Sequence, residues 1–334
     1  MNEHRASTAT LCKIGFRHWL VWLAITKSRA QYLLLPGLIN PKVALHTRAS
    51  ILVNFAKHMA HNGYAAGSIA GYCTHIRNAH KDLLDLDLVE GSVVWKRYSK
   101  ALSNEASNPQ NAKHPVSIQL LQACAHNLGT RSATRCAMVI AFFGLLRRKE
   151  WSAKSKTSAR AWQLCRTHVK LFDSHDALLP VDTELQYIDH AQILVYRKGD
   201  SNKTGHNISL FRNHTEVCPL HAIFLALKIA PDKSPHSPLF QESNGEYVRS
   251  DDVARALKAA AAKYGLNPKK FAAHSLRRGG AQALRDAGFS EEFIKKYGAW
   301  RSDANKRYHS APASECKDVA RRMIKSSSTQ LPVE

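Results

Sequence analysis

Late in the chain stands Ala273-His-Ser-Leu-Arg-Arg-Gly-Gly280, followed after a short interval by Tyr297-Gly-Ala-Trp-Arg-Ser-Asp-Ala-Asn-Lys-Arg-Tyr308. His274 and Arg277 are three positions apart, so on a helix their side chains share one face. Gly279 and Gly280, in the next turn, let another backbone approach closely. Tyr308 lies among Asn305, Lys306, Arg307 and His309, whereas a structural tyrosine more often sits in an apolar stripe. The residue types are ones that can act on an anionic group. Arginine offers a planar fork of donors to anionic oxygens, histidine moves protons near neutrality, and a hydroxyl can act as nucleophile.

Such groups need rigid elements to hold them. A polar stretch from Ser103 to Pro115 has two prolines and no large apolar residue, which is the composition of a linker. It divides the chain into an N-terminal domain (1–108), a linker (109–115), a second domain (116–312) and a tail (313–334). In the first domain the apolar spacing is helical. Leu11, Ile14, Val21, Trp22 and Ile25 form one stripe, interrupted by His18; Leu52, Phe55, Ala56 and Met59 form a second; Ile69, Tyr72, Ile76 and Leu83 form a third. A small helical bundle is expected. In the second domain Val116–Asn127 and Ser132–Leu146 read as helices, and Leu178–Tyr187 is ambiguous. Ile193–Tyr196 and Asn207–Phe211 read as short strands. Between them, Lys198-Gly-Asp-Ser-Asn-Lys-Thr-Gly205 signals a hairpin with a longish loop. Cys218-Pro219 opens a further helix. The chain from Ser250 onward reads helical, punctuated at Gly265, Gly288 and Gly298, with a tail helix over Ser314–Ile324 that places Val319, Ala320 and Met323 on one side.

Composition narrows the partner. The 334 residues carry 48 Lys+Arg against 26 Asp+Glu, a formal net charge of +22. Residues 1–112 contribute +7 and the remainder +15, so both halves are basic, as suits a protein that touches nucleic acid with each domain. Apolar runs such as Met138–Leu146 fall far short of the roughly 20 residues that span a membrane, and the first residues do not read as a clear signal peptide. Seven cysteines make no CxxC pair and leave one unpaired, against a disulfide framework and for a reducing intracellular compartment. His46, His58, His61, His75 and His80 crowd the N-terminal domain without zinc-ligand pairing and are expected at the surface or on phosphate.

The series His-x-x-Arg, Gly-x-Trp-x-Ser and a tyrosine eight residues after the Trp resembles the C-terminal signature of the tyrosine recombinases, or phage integrase family. Phe143-Gly-Leu-Leu-Arg-Arg-Lys-Glu150 resembles the family's first-arginine motif, and Val195-Tyr-Arg-Lys-Gly-Asp200 is similar to its hairpin lysine motif. The wording looks nearer to recombinases of eukaryotic mobile elements than to bacterial chromosome-dimer resolvases. The resemblance implies a mainly α fold with a small β-sheet: a helical, SAM-like core-binding domain followed by an α+β catalytic domain. It implies Tyr308 as nucleophile, with Arg147, Arg277, His274, Lys198 and Trp300 as its catalytic partners and Glu150 supporting Arg147. Lys203 rivals Lys198, and Arg148 could be confused with Arg147. Arg148, Lys203, Arg278 and Arg301 are candidates for DNA contact. Trp300 stands where many members have histidine, and many have nine rather than eight residues before the tyrosine.

The implied reaction cuts and rejoins duplex DNA through a 3′-phosphotyrosine, leaving a 5′-hydroxyl, with no metal, ATP or other cofactor. The implied assembly is a homo-oligomer, a tetramer on two synapsed sites and a monomer or dimer when free, inside the cell with its DNA and apart from any membrane. The tail helix is expected to dock either on a neighbouring protomer or on its own. Two rivals remain: a type IB topoisomerase, disfavoured because Tyr308 follows Arg277 so closely, and a domesticated DNA-binding protein that no longer cleaves.

Overall fold

The computed structural model describes residues 2–26, 45–106, 113–196, 204–300 and 311–326. The chain divides into two compact units, Met1–Ala112 and Lys113–Glu334.

The first unit has four helices: α1 (Asn2–Thr26), α2 (Leu45–His61), α3 (Ala66–Leu84) and α4 (Val93–Ala106). Its core gathers Trp19, Trp22 and Leu23 of α1, Leu52, Phe55, Ala56 and Met59 of α2, Ile69, Cys73 and Ile76 of α3, and Leu102 of α4. The stripe read in α2 supplies its four positions; of the stripe read in α3, Ile69 and Ile76 are buried, Tyr72 packs partly buried against the core beside the unread Cys73, and the Leu83 side chain lies outside the description. The stripe read in α1 is corrected. Ile14, Val21 and Ile25 are 41, 50 and 67% exposed, while Trp19, Trp22 and Leu23 face inward. Volume decides it: Trp19 and Trp22 stack at 5.4 Å and both meet the edge of Phe55, at 5.2 and 5.7 Å, so the two indoles set the helix's rotation. His18 lies beside this face against the rings of Tyr64 and Tyr72. His80 is a second correction. It is buried rather than at the surface, and its Nδ1 donates to the Ile76 carbonyl at 2.7 Å.

The second unit continues with α5 (Ile118–Leu128), α6 (Ala133–Phe143) and the one-turn α7 (Arg148–Trp151). A four-stranded antiparallel sheet follows, of β1 (Val169–Phe172), β2 (Leu178–Leu179), β3 (His190–Val195) and β4 (His206–Phe211) in the order β2-β1-β3-β4. The β3–β4 hairpin pairs Val195 with His206 at its loop end and His190 with Phe211 at its open end. β1, which the sequence reading did not mark, pairs Val169 with Ile193. The ambiguous Leu178–Tyr187 resolves into the short edge strand β2 and a 3₁₀ turn at Leu185–Tyr187.

The remaining elements are α8 (Pro219–Ile229), α9 (Ser250–Lys263), α10 (His274–Asp286), α11 (Glu291–Gly298), α12 (Ala313–Cys316) and α13 (Val319–Ser326). The single tail helix expected over Ser314–Ile324 is thus two short helices. Val319, Ala320 and Met323 are buried as the spacing predicts. α13 packs on α10 of its own chain: Arg322 donates to the Ala287 carbonyl at 2.7 Å and lies 4.0 Å over the Phe289 ring.

α6 forms the centre of this unit. All its residues except Arg135 are buried, and its N-terminus is closed by one carboxylate. Glu242 accepts from the Ala133 and Thr134 amides at 3.0 and 2.9 Å and from the Thr134 hydroxyl at 2.7 Å. A half-buried anion on the positive end of a helix satisfies donors that would otherwise be orphaned. The six described cysteines are all buried and unpaired, and burial pushes the thiols of Cys73, Cys124, Cys136 and Cys316 up to about 12. Among the described residues no helix is long and apolar enough to cross a membrane.

Burial holds the His80 imidazole below its ordinary value of 6.5. Below pH 6.5 the unfolded chain therefore binds a proton at this site that the folded chain resists, and stability falls as the pH drops. Urea unfolding of the wild type and of His80→Leu at pH 7 and pH 5 should show a smaller acid-induced loss in the variant. Equal losses would mean that His80 does not titrate on unfolding.

Candidate active site

The site begins where α6 ends. After Phe143 the chain turns through Gly144, Leu145 and Leu146, with Leu145 in the left-handed region at φ 48°, and delivers Arg147 to the start of α7. Glu150 fixes it there. Its Oε2 accepts from the Arg147 backbone N–H at 2.7 Å and its Oε1 faces Arg147 Nη1 at 3.4 Å, with the carboxylate almost fully buried. Glu150 thus holds both the main chain and the guanidinium of Arg147.

α10 enters beside this turn because two glycines allow it. A Cβ on Gly279 would stand 2.1 Å from the Val116 carbonyl oxygen, and one on Gly280 would stand 2.1 Å from that of Phe142. Close passage seats Arg277 in the interior, only 3% exposed. Its Nη1 donates to the Leu145 carbonyl and its Nη2 to the Gly298 carbonyl at 2.8 Å, and the guanidinium lies over the Trp300 ring at 4.2 Å. Gly298 makes room for that indole, since a Cβ there would stand 2.2 Å from it.

His274 lies one turn before Arg277, open to solvent. Partial desolvation, then the guanidiniums of Arg277, Arg278, Arg147 and Arg148, hold its imidazole below 6.5. It is therefore neutral at pH 7 and able to accept a proton.

The C-terminus of α11 closes the group. Ala299 takes the left-handed conformation at φ 45°, its N–H bonds to the Lys296 carbonyl at 3.2 Å, and the Trp300 N–H bonds to the Lys295 carbonyl at 2.9 Å. That is the hydrogen-bond pattern of a Schellman ending, here with alanine where glycine is usual. The next three carbonyls each accept from a different element. Tyr297 O accepts from His206 Nε2 at 3.1 Å, Gly298 O from Arg277, and Ala299 O from Arg147 Nη2 at 3.4 Å. The Tyr297 hydroxyl donates to the Phe143 carbonyl at 3.1 Å, at the end of α6.

Of the residues singled out in the sequence, Arg147, Glu150, His274, Arg277 and Trp300 come together. Arg148 and Arg278 are exposed at the rim, where Arg278 donates to the Lys113 carbonyl. Lys198, Lys203, Arg301 and Tyr308 lie outside the described residues. The sequence reading missed the parts played by Tyr297, His206 and Glu242. Tyr297 carried the ordinary signal of a core position beside Ile294, and no residue type announces a main-chain carbonyl.

No family model matches the chain, and neither does any curated protein sequence. Solved structures do. The XerH site-specific recombinase bound to its difH substrate, in a pre-cleavage complex, superposes with a TM-score of 0.53 at 14% identity, over 96% of this chain and 78% of that one. The same recombinase on a palindromic difH substrate, after cleavage, gives 0.50 at 14% identity over 89% and 73%. The integrase of transposon Tn1549 in complex with transposon right-end DNA gives 0.49 at 17% identity over 92% and 93%.

Arginine at position 277 bridges two carbonyls and stacks on an indole, and lysine cannot reproduce that planar fork. Arg277→Lys should lower unfolding stability by about 1–3 kcal/mol, read as a lower urea midpoint with unchanged slope. An unmoved midpoint would mean that the carbonyl bridge contributes nothing net.

Taken over nearly its whole length, with a helical first unit and an α+β second unit, the chain has the fold of the tyrosine recombinases, the phage integrase type.

Proposed function

We propose that the protein is a site-specific DNA recombinase that breaks and rejoins duplex DNA through a covalent tyrosine linkage. The observation that carries this reading is the pairing of two guanidiniums, Arg147 and Arg277, beside a neutral histidine in a chain of this fold. A phosphoryl group in transfer concentrates negative charge on its non-bridging oxygens, and preorganised donors there supply much of the rate. Arg147 and Arg277 are those donors, with Trp300 beside them.

In the proposed reaction the Tyr308 oxygen attacks a DNA phosphorus, forming a 3′-phosphotyrosine bond as the bond to the 5′-oxygen breaks. The phenolic proton passes to His274 or to water. Lys198 supplies a proton to the leaving 5′-oxygen, which departs as a hydroxyl. Attack by that hydroxyl, or by one from another duplex, reverses the step and reseals the strand, so the bond energy is kept and no ATP is needed. The two arginines balance the negative charge that a metal ion would otherwise balance. The two basic units grip the duplex, and protomers assemble on paired sites.

Three results are expected. Tyr308→Phe should abolish the covalent adduct on a nicked suicide duplex and leave DNA binding intact; adduct formation by that variant would overturn the assignment. Chelator should leave adduct formation unchanged. Lys198→Ala should block cleavage where Lys203→Ala does not, and the reverse would exchange their roles. Supercoiled plasmid separates the rival activities: relaxation of any plasmid marks a topoisomerase, and exchange only where a site is present marks a recombinase.

The state of His274 sets a pH dependence. A proton acceptor works when neutral, so the acid limb of the cleavage rate at saturating DNA should fall below pH 6.5. Arg278→Gln removes one of the cations that lower the histidine and should move that limb upward toward 6.5. A limb that stays in place would remove His274 from proton transfer.

A further inference from the structure

His206 belongs to none of the motifs, yet it is buried at 6% exposure at the first position of β4. The segment just before it in the chain carries Lys198 and Lys203. Its Nε2 faces the Tyr297 carbonyl at 3.1 Å. A carbonyl only accepts, so this nitrogen carries the proton and the ring tautomer is set. Tyr297 in turn donates its hydroxyl to the Phe143 carbonyl, four residues ahead of Arg147. That carbonyl belongs to the last turn of α6, where main-chain acceptors lack helical partners. Tyr297 is fully enclosed, and burial, with Cys316 nearby, raises its hydroxyl well above the ordinary value of 10, so it remains a donor. Two side chains therefore join the loop end of the β3–β4 hairpin, the end of α11 and the end of α6. Those elements lead to the candidate lysines, to Trp300 with the Arg277 anchor, and to Arg147.

We propose that His206 is a positioning residue that fixes the loop end of the hairpin against the end of α11, so that the Gly298 and Ala299 carbonyls hold Arg277 and Arg147 in place for one phosphate. The proposal rests on the recombinase reading for its chemistry, while the mechanical link it describes stands on the hydrogen bonds alone. Glutamine carries an amide nitrogen to the place of Nε2, asparagine reaches only as far as Nδ1, and leucine fills the volume without a donor. The three substitutions therefore separate the donor from the bulk.

The test compares the wild type with His206→Gln, His206→Asn and His206→Leu. Single-turnover cleavage of a suicide duplex and DNA affinity are measured separately, and hydrogen–deuterium exchange is followed in peptides covering 204–211 and 294–300. Misplacement of reacting groups by about 1 Å costs on the order of 100-fold in rate. His206→Asn and His206→Leu should cleave about 10- to 100-fold more slowly with affinity within about 2-fold of wild type. Both peptides should exchange faster in these variants, and His206→Gln should restore rate and protection. If leucine prevents folding, the glutamine–asparagine pair decides. Wild-type cleavage by the asparagine variant, equal loss in glutamine and asparagine, or affinity falling in step with rate would each overturn the proposal. Should the wild type form no adduct, the recombinase reading fails and exchange alone judges the link: unchanged protection of 294–300 in the asparagine variant overturns it.

Discussion

The structure depends on how one short helix ends. α11 is only Glu291–Gly298, yet its last carbonyls are the point at which His206, Arg277 and Arg147 meet. A helix C-terminus leaves carbonyls without main-chain partners, and aligned peptide dipoles make that end negative. Here the left-handed turn at Ala299 uses the Lys295 and Lys296 carbonyls, and the next three accept from His206, Arg277 and Arg147. Two cations that would repel each other in isolation are held close by a shared array of partial negative charge. The site is an electropositive cage built on an electronegative foot.

Arg277 shows what this arrangement must overcome. Burying a guanidinium is costly unless its donors are met. Carbonyls of Leu145 and Gly298 meet two of them, and the Trp300 face adds a cation–π contact. The glycines at 279 and 280 are the geometric condition, because with a Cβ at either place α10 could not lie against Val116 and Phe142. Rigid support also explains the Glu242 plug at the start of α6: a helix closed at its N-terminus and bonded at its end by Tyr297 gives Arg147 a fixed origin.

Much of this was legible in the sequence because residue type and spacing carried it. His274 and Arg277 share a face and the paired glycines allow close passage, while Glu150 beside Arg147 followed only from the resemblance of its motif. The apolar stripes of α2 and α3 and the hairpin were legible by periodicity. What escaped did so for physical reasons. The α1 stripe was read by counting apolar residues alike, whereas two indoles outweigh Ile14, Val21 and Ile25. β1 is four residues long and β2 two, too short for alternation to register. His80 resembled its exposed neighbours until its helix buried it. The carbonyls at the end of α11 have no residue type at all, so neither Tyr297 nor His206 could be seen as their partners.

Two arginines are seated on one helix end, and the proposed function has them receive a single phosphate that a tyrosine attacks. The direct measurement is to trap the reaction on a suicide duplex, digest protein and DNA, and identify the linked peptide by mass spectrometry. The account predicts one linkage, from the Tyr308 oxygen to a 3′-phosphate, lost when either Arg147 or Arg277 is replaced by alanine. A linkage at another residue, a 5′-phosphate link, or an adduct that survives loss of both arginines would contradict it.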